Sequence, residues 1–334
     1  MQRLPPASEV LSFYASPGRF TTLADGDAVP GGIEEIVAVV QGLLVYDVVA
    51  QPFYGVELAS TQDGICERDS AALLDLVRAV DRRPIVQERP PEARVAARCH
   101  TYSRLTVAFL RSVGVPARVR CGFSTYSVPG MLEDHWVAEC WDGELGRWRT
   151  VDANLDATWA TRIGFAGDPL DVTGEEFVTA GHAWQAWRRG ELDAGTCGLT
   201  AVGGATAIDG FAAVDEQGAH WIANNLRLDL ASLNKVEMLP WDVWGAGWGP
   251  GEEPGGDLLD LFDDVAALTT DPDERLPELR RRYESDVRLR MDGSVSKVVK
   301  DGLFFHVLTG EPRTALEHLI VDACVAVNRD EVYL

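Results

Sequence analysis

Residues 98–124 read RCHTYSRLTVAFLRSVGVPARVRCGFS, and the pattern changes halfway along. From Cys99 to Val113 the apolar positions Leu105, Phe109, Leu110 and Val113 recur at helical spacing and define one face. Gly114 then stands where a helix-ending C′ residue is expected, and Pro116 prevents continuation. From Ala117 to Phe123 the period falls to two, apolar residues alternating with Arg118 and Arg120, which predicts a strand. Two further strands are expected downstream, His135–Trp141 and Trp148–Val151, joined by a turn at Gly143 and Gly146. A helix followed by three closely connected strands predicts an α+β fold, one helix packed on an antiparallel sheet.

The flanks read differently. Residues 1–83 are expected to be mostly helical: Ile33–Val49 follows the breaker Gly31-Gly32, and Asp69-Ser70 can cap a helix over Ala71–Val80. The Pro- and Arg-rich stretch 84–97 reads as a connecting loop, which opens a core unit at 84–160. A Trp-rich extension follows at 161–250, with helices predicted over Glu176–Arg189 and Ile222–Leu233. The Gly/Pro-rich run 249–256 leads into a mostly helical segment, 251–334, with helices expected at Asp257–Leu268, Asp273–Tyr283 and Arg313–Val327. All ten tryptophans lie between Trp136 and Trp248, either as core fillers or as the walls of an aromatic cleft.

Composition narrows the function classes. The 334 residues carry 30 basic and 52 acidic side chains, a formal charge of −22, which argues against non-specific binding to nucleic acid or anionic lipid. With 46% hydrophobic and 25% charged residues the chain resembles an ordinary globular protein. The longest apolar stretch, Ile36–Ala50, is short and interrupted by Gln41 and Asp47, so no membrane span is expected. The six cysteines are scattered without a CxxC pair or zinc spacing, which predicts a reducing, cytoplasmic setting and no metal.

Three passages carry the chemistry: Arg98-Cys99-His100, DHWVAECW at 134–141, and WRTVDAN at 148–154. They place a thiol at a helix start, an imidazole at the front of a strand and a carboxylate at the end of the next. A free thiol is only a few per cent thiolate at neutral pH. The positive end of a helix and an adjacent imidazolium stabilise the thiolate, and a carboxylate fixes the imidazole tautomer. Cys99, His135 and Asp152 fit those roles, with Asp156 a competitor for the third. His100 projects about 100° away from Cys99 around the helix.

These passages resemble the transglutaminase-like superfamily of cysteine enzymes, bacterial members included. The resemblance rests on AFLRSVGVPARV at 108–119 after the helix, on His135-Trp136-Val137, and on Trp148–Asp152. It implies a papain-like core, a Cys99–His135–Asp152 triad and a thioester acyl-enzyme, with no cofactor. Where the family places a glycine shortly before the cysteine, this chain has Ala96-Ala97-Arg98. The backbone N–H of Cys99 is one candidate oxyanion donor; the sequence names no second. The expected activity is amide hydrolysis or acyl transfer on a peptide, amide or thioester. The alternatives are amide-bond formation on a carrier-bound acyl group and a non-catalytic binding module.

Arg98, Trp136, Asn154 and His182 are candidate substrate-binding residues. Between Arg82 and Arg120 stand nine arginines against Glu88 and Glu92, +7 within a −22 chain. That stretch could draw in an anionic substrate or carrier, or pair with acids elsewhere in the fold.

Overall fold

The computed structural model describes residues 8–24, 29–200 and 216–291, together with two strands, 295–300 and 303–308. In chain order the helices are α1 (Ser8–Ala15), α2 (Ile33–Leu43), α3 (Asp47–Tyr54), α4 (Ser70–Val80), α5 (Cys99–Ser112), α6 (Ala157–Ile163), α7 (Ala180–Arg188), α8 (Ala219–Leu233), α9 (Gly256–Thr269) and α10 (Leu276–Ser285). The strands are β1 (Leu44–Tyr46), β2 (Val95–Ala97), β3 (Ala117–Ser124), β4 (Leu132–Asp142), β5 (Arg147–Val151), β6 (Phe177–Thr179), β7 (Cys197–Leu199), β8 (Glu216–Gln217), β9 (Asp242–Val243), β10 (Val295–Lys300) and β11 (Leu303–Leu308).

The fold is α+β. Its main sheet runs β6-β3-β4-β7-β8, with β5 also paired to β4. Helix α5 starts at Cys99, and Gly114 takes the positive φ (80°) that stops the chain from continuing as helix. Val115 N–H closes back on Leu110 O, and the chain turns into β3. Strands β3 and β4 pair antiparallel from Ala117↔Cys140 to Ser124↔Glu133.

The far edge of β4 is shared. β5 takes residues 138–142 antiparallel, whereas β7 takes Leu132 and Glu133 in parallel. Among the described residues, 134–137 face no partner strand on that edge, a notch with His135 in it. Side chains serve the polar backbone there instead of a ladder: Ser103 Oγ on α5 lies 2.9 Å from Trp136 O and 2.8 Å from Cys99 O. One hydroxyl proton thus holds the cysteine's helix to the histidine's strand.

Several expectations are corrected. The apolar run Ile33–Val49 is not one helix: α2 ends at Leu43, β1 follows, and α3 begins at Asp47. The connecting stretch 84–97 ends as β2, which pairs in parallel with β1. Glu176–Arg189 opens as strand β6 on the sheet edge before α7 begins at Ala180. The sheet is mixed through its β4–β7 pair. The last segment is not wholly helical, since β10 and β11 form an antiparallel pair beside β9. The helix expected at Arg313–Val327 lies outside the described residues. The main apolar core among the described residues runs from Val10 to Met291, with a small second cluster of Val137, Val172 and Phe177, and Trp136, Trp184 and Trp244 are among the largest buried side chains. No helix among the described residues is long and apolar enough to cross a membrane.

Candidate active site

The register of β1 and β2, Tyr46↔Ala97, sets the start of α5. The next residues along, Asp47 and Arg98, face each other, and the guanidinium bonds the carboxylate through Nε (3.0 Å) and Nη2 (2.8 Å). Arg98 is the N-cap residue in extended conformation, and no side chain caps the helix. Cys99 therefore opens the helix, at the end where the N–H groups without intrahelical partners and the positive end of the dipole lie.

His135 and Asp152 meet as strand alternation requires. Val151 pairs with Ala138, so Asp152 falls on the face shared by Val137 and His135. His135 Nε2 lies 2.8 Å from Asp152 Oδ2. The Cys99 side chain acts on the same ring and favours its charged form. With Nε2 engaged by the carboxylate, Nδ1 is the nitrogen left for the sulfur. Burial opposes charge on His135, but the Asp152 carboxylate and then Cys99 outweigh it, holding the imidazolium well above the ordinary imidazole range. All three side chains are buried.

Asp152 is itself held from four directions. His135 and the Tyr126 hydroxyl converge on Oδ2, while Asn154 gives Oδ1 its backbone N–H (3.1 Å) and Nδ2 (2.6 Å). Asn154 Nδ2 is also 3.3 Å from His135 Nε2. Burial and the neighbouring carboxylate hold the Tyr126 phenol well above its usual range, so it stays protonated as a donor. Asp156 is elsewhere: it caps α6 through Trp159 N–H and accepts from Tyr54 at 2.7 Å.

The other sequence candidates separate. Trp136 is a core ring packed edge-on against His100, with centroids 6.0 Å apart. His100 is buried with Nε2 on Ile65 O (3.0 Å), and burial drives its pKa well below the ordinary value. His182 is exposed at the start of α7, with Nδ1 2.8 Å from Thr179 Oγ1. Arg98 bonds Asp47. The Arg-rich stretch is largely internal: Arg111 pairs with Glu237, Arg118 with Glu139 and Asp273, and Arg120 with Asp229 and Glu139. These arginines balance acids within the fold, so an anionic carrier gains no support from them.

Sequence reasoning missed Tyr126, Tyr46, Asp47 and Glu133. Glu133 precedes His135 by two on β4, and its carboxylate accepts Thr200 N–H at 3.2 Å. Burial pushes its pKa up to about 7. Strand alternation on a recognised strand could have marked Glu133 as sharing a face with His135; the other three carry no local signal.

Residues 88–153 match the transglutaminase-like superfamily core, so the chain contains a transglutaminase-like core built around the elements that carry Cys99, His135 and Asp152. Among solved structures, a candidate cysteine protease from Cytophaga hutchinsonii is similar at 18% identity and a TM-score of 0.23, over 44% of this chain and 42% of that one. No curated protein matches the chain.

Proposed function

We propose that this protein is a cysteine-dependent acyl-transfer enzyme, an amide hydrolase or acyltransferase working through a thioester on Cys99. The observation that carries the reading is the buried His135–Asp152 pair, 2.8 Å from Nε2 to Oδ2, with Cys99 at the start of α5 acting on the same ring. The thiolate's electron pair forms an S–C bond to an acyl carbonyl, and the carbonyl π pair moves to oxygen. When that pair returns, the bond to the leaving group breaks and the His135 imidazolium supplies its proton. His135, now neutral, takes a proton from water or an amine that attacks the thioester, and the thiolate leaves. Asp152 holds the ring's tautomer and its charge throughout. Five cysteines among the described residues are free thiols, which supports a reducing, cytoplasmic setting.

The test is selective alkylation. Burial pushes the Cys121 thiol far up, Cys140 to about 12 and Cys197 to about 11, so these three stay protonated and slow. Iodoacetamide at pH 7, followed by peptide mass spectrometry, should modify Cys99 ahead of every other cysteine. Cys99→Ala should abolish acylation by p-nitrophenyl acetate. Adding glycinamide during turnover, with the Cys99→Ala variant as control, then separates the acceptors: Cys99-dependent accumulation of N-acetylglycinamide marks an acyltransferase, and acetate alone a hydrolase. Labelling of Cys99 no faster than of half-buried Cys66 would overturn the reading.

A further inference from the structure

An acyl-transfer site needs donors for the oxygen on which charge develops, and the Cys99 backbone N–H is one. We propose that the Tyr46 hydroxyl is the second, donating to the oxyanion formed when the Cys99 sulfur adds to an acyl carbonyl. This assignment rests on the nucleophile reading above and brings into the site a residue outside the 88–153 match.

The placement follows from three contacts. Tyr46 is the last residue of β1, in register with Ala97, two positions before Cys99. Its ring stacks on Tyr102 with centroids 6.5 Å apart and planes 25° apart. Tyr102 is three residues beyond Cys99 on α5, on the same helical face. Trp159 also meets the Tyr46 ring, with centroids 4.7 Å apart and planes at 89°. The phenol thus packs on two aromatic rings beside the first turn of α5.

Four polar side chains of the site and its surroundings are committed elsewhere. The Tyr126 hydroxyl and Asn154 Nδ2 donate to Asp152, the Tyr54 hydroxyl to Asp156, and Arg98 to Asp47. Burial, followed by the charge of Cys99, holds the Tyr46 phenol well above the usual tyrosine range. It therefore keeps its proton at neutral pH, as a donor must.

Tyr46→Phe removes the hydroxyl and keeps the ring packed on Tyr102 and Trp159. Two probes of Cys99 distinguish its role. Acylation by p-nitrophenyl acetate passes through an oxyanion: the S–C bond forms, the carbonyl pair moves to oxygen, and p-nitrophenolate leaves with its bonding pair as the carbonyl reforms. Alkylation by iodoacetamide displaces iodide and forms no oxyanion. Removing one such donor typically costs about 10²–10³ in rate. Tyr46→Phe should therefore slow acylation by about that factor while alkylation changes by less than roughly twofold. Equal slowing of both, or of neither, overturns the proposal, with a wild-type near-ultraviolet circular dichroism spectrum confirming the fold. Absence of reaction with either probe at Cys99 in the wild-type protein would instead sink the nucleophile reading, and this proposal with it.

Discussion

Asp152→Asn puts the relay under the most direct test, because the replacement keeps shape and removes only charge and one acceptor. Four donors converge on the carboxylate, two on each oxygen: His135 and Tyr126 on Oδ2, the backbone and side-chain nitrogens of Asn154 on Oδ1. An amide turned either way sets its NH₂ against one of these pairs. Each donor left without an acceptor costs roughly 1–3 kcal/mol, so a stability loss on the order of 2–6 kcal/mol is expected in urea unfolding. The loss of turnover should be larger. In serine-protease triads the same change costs about 10⁴ in kcat, and about 5.5 kcal/mol of barrier corresponds to that factor. pH adds a signature. In the wild-type protein His135 is held above its ordinary 6.5, so its stabilising charge is fully present below that value and is lost as pH rises through the raised one. Without the carboxylate, burial dominates, the imidazolium is lost at lower pH and that dependence shrinks. The assay is p-nitrophenyl acetate acylation of Cys99 from pH 5 to 10, beside urea unfolding across the same range. A variant that acylates at the wild-type rate with an unchanged profile would refute the role given to Asp152.

Two further predictions concern stability. Glu133 has its pKa raised from 4.5 to about 7 by burial, so stability should fall as pH rises through that interval while the unfolded carboxyl ionises first; the difference amounts to roughly 3 kcal/mol. Glu133→Gln, which keeps an acceptor for Thr200 N–H, should flatten that decline in urea unfolding at pH 4.5–8, and an unaltered slope would show that another group is responsible. Arg111 and Glu237 form an ion pair with side-chain exposures of 0% and 1%. Arg111→Met should cost about 3–5 kcal/mol by stranding the carboxylate, and adding Glu237→Gln should recover most of it; a double variant as unstable as the single one would place the loss in Arg111's bonds to Ala117 O and Thr21 Oγ1.

What the sequence disclosed follows from the range of its signals. Cys99 at a helix start, Gly114 as its stop and the alternation of β3 and β4 are local patterns, and each is present in the structure. The sequence put His135 and Asp152 on neighbouring strands without deciding whether they face the same way; the Ala138↔Val151 register brings them together. The apolar run Ile33–Val49 misled because a short buried strand is apolar on both faces and reads like buried helix; β1 lies inside that run. Phe177–Thr179 becomes strand because the edge of β3 offers it a ladder, a tertiary gain no local pattern records. Asp47 and Tyr126 reach the site across 51 and 26 residues of chain. The β10–β11 pair has a local signal that the sequence reading did not use: Asp301-Gly302 is the two-residue sequence favoured between hairpin strands.

The superfamily match and the candidate site do not have the same boundaries. Residues 88–153 contain Cys99, His135 and Asp152, yet the groups that hold them lie on both sides. Asp47 neutralises Arg98 at the helix start, and Asp229 on α8 neutralises Arg120 on β3 while accepting Cys121 N–H. Asn225, also on α8, bonds Gly122 O, beside His135 in the ladder, and Asp134 Oδ1. Arg98 and Arg120 are charges that a buried setting tolerates only when paired, and an unpaired one costs about 3–5 kcal/mol. Two such losses are comparable to the whole stability of an ordinary domain, about 5–15 kcal/mol. The flanking segments are therefore part of the physical unit that keeps Cys99 and His135 in register. The acidic excess of the chain has a structural use here, because Asp47, Glu139, Asp229, Glu237 and Asp273 are the counter-charges of the Arg-rich stretch.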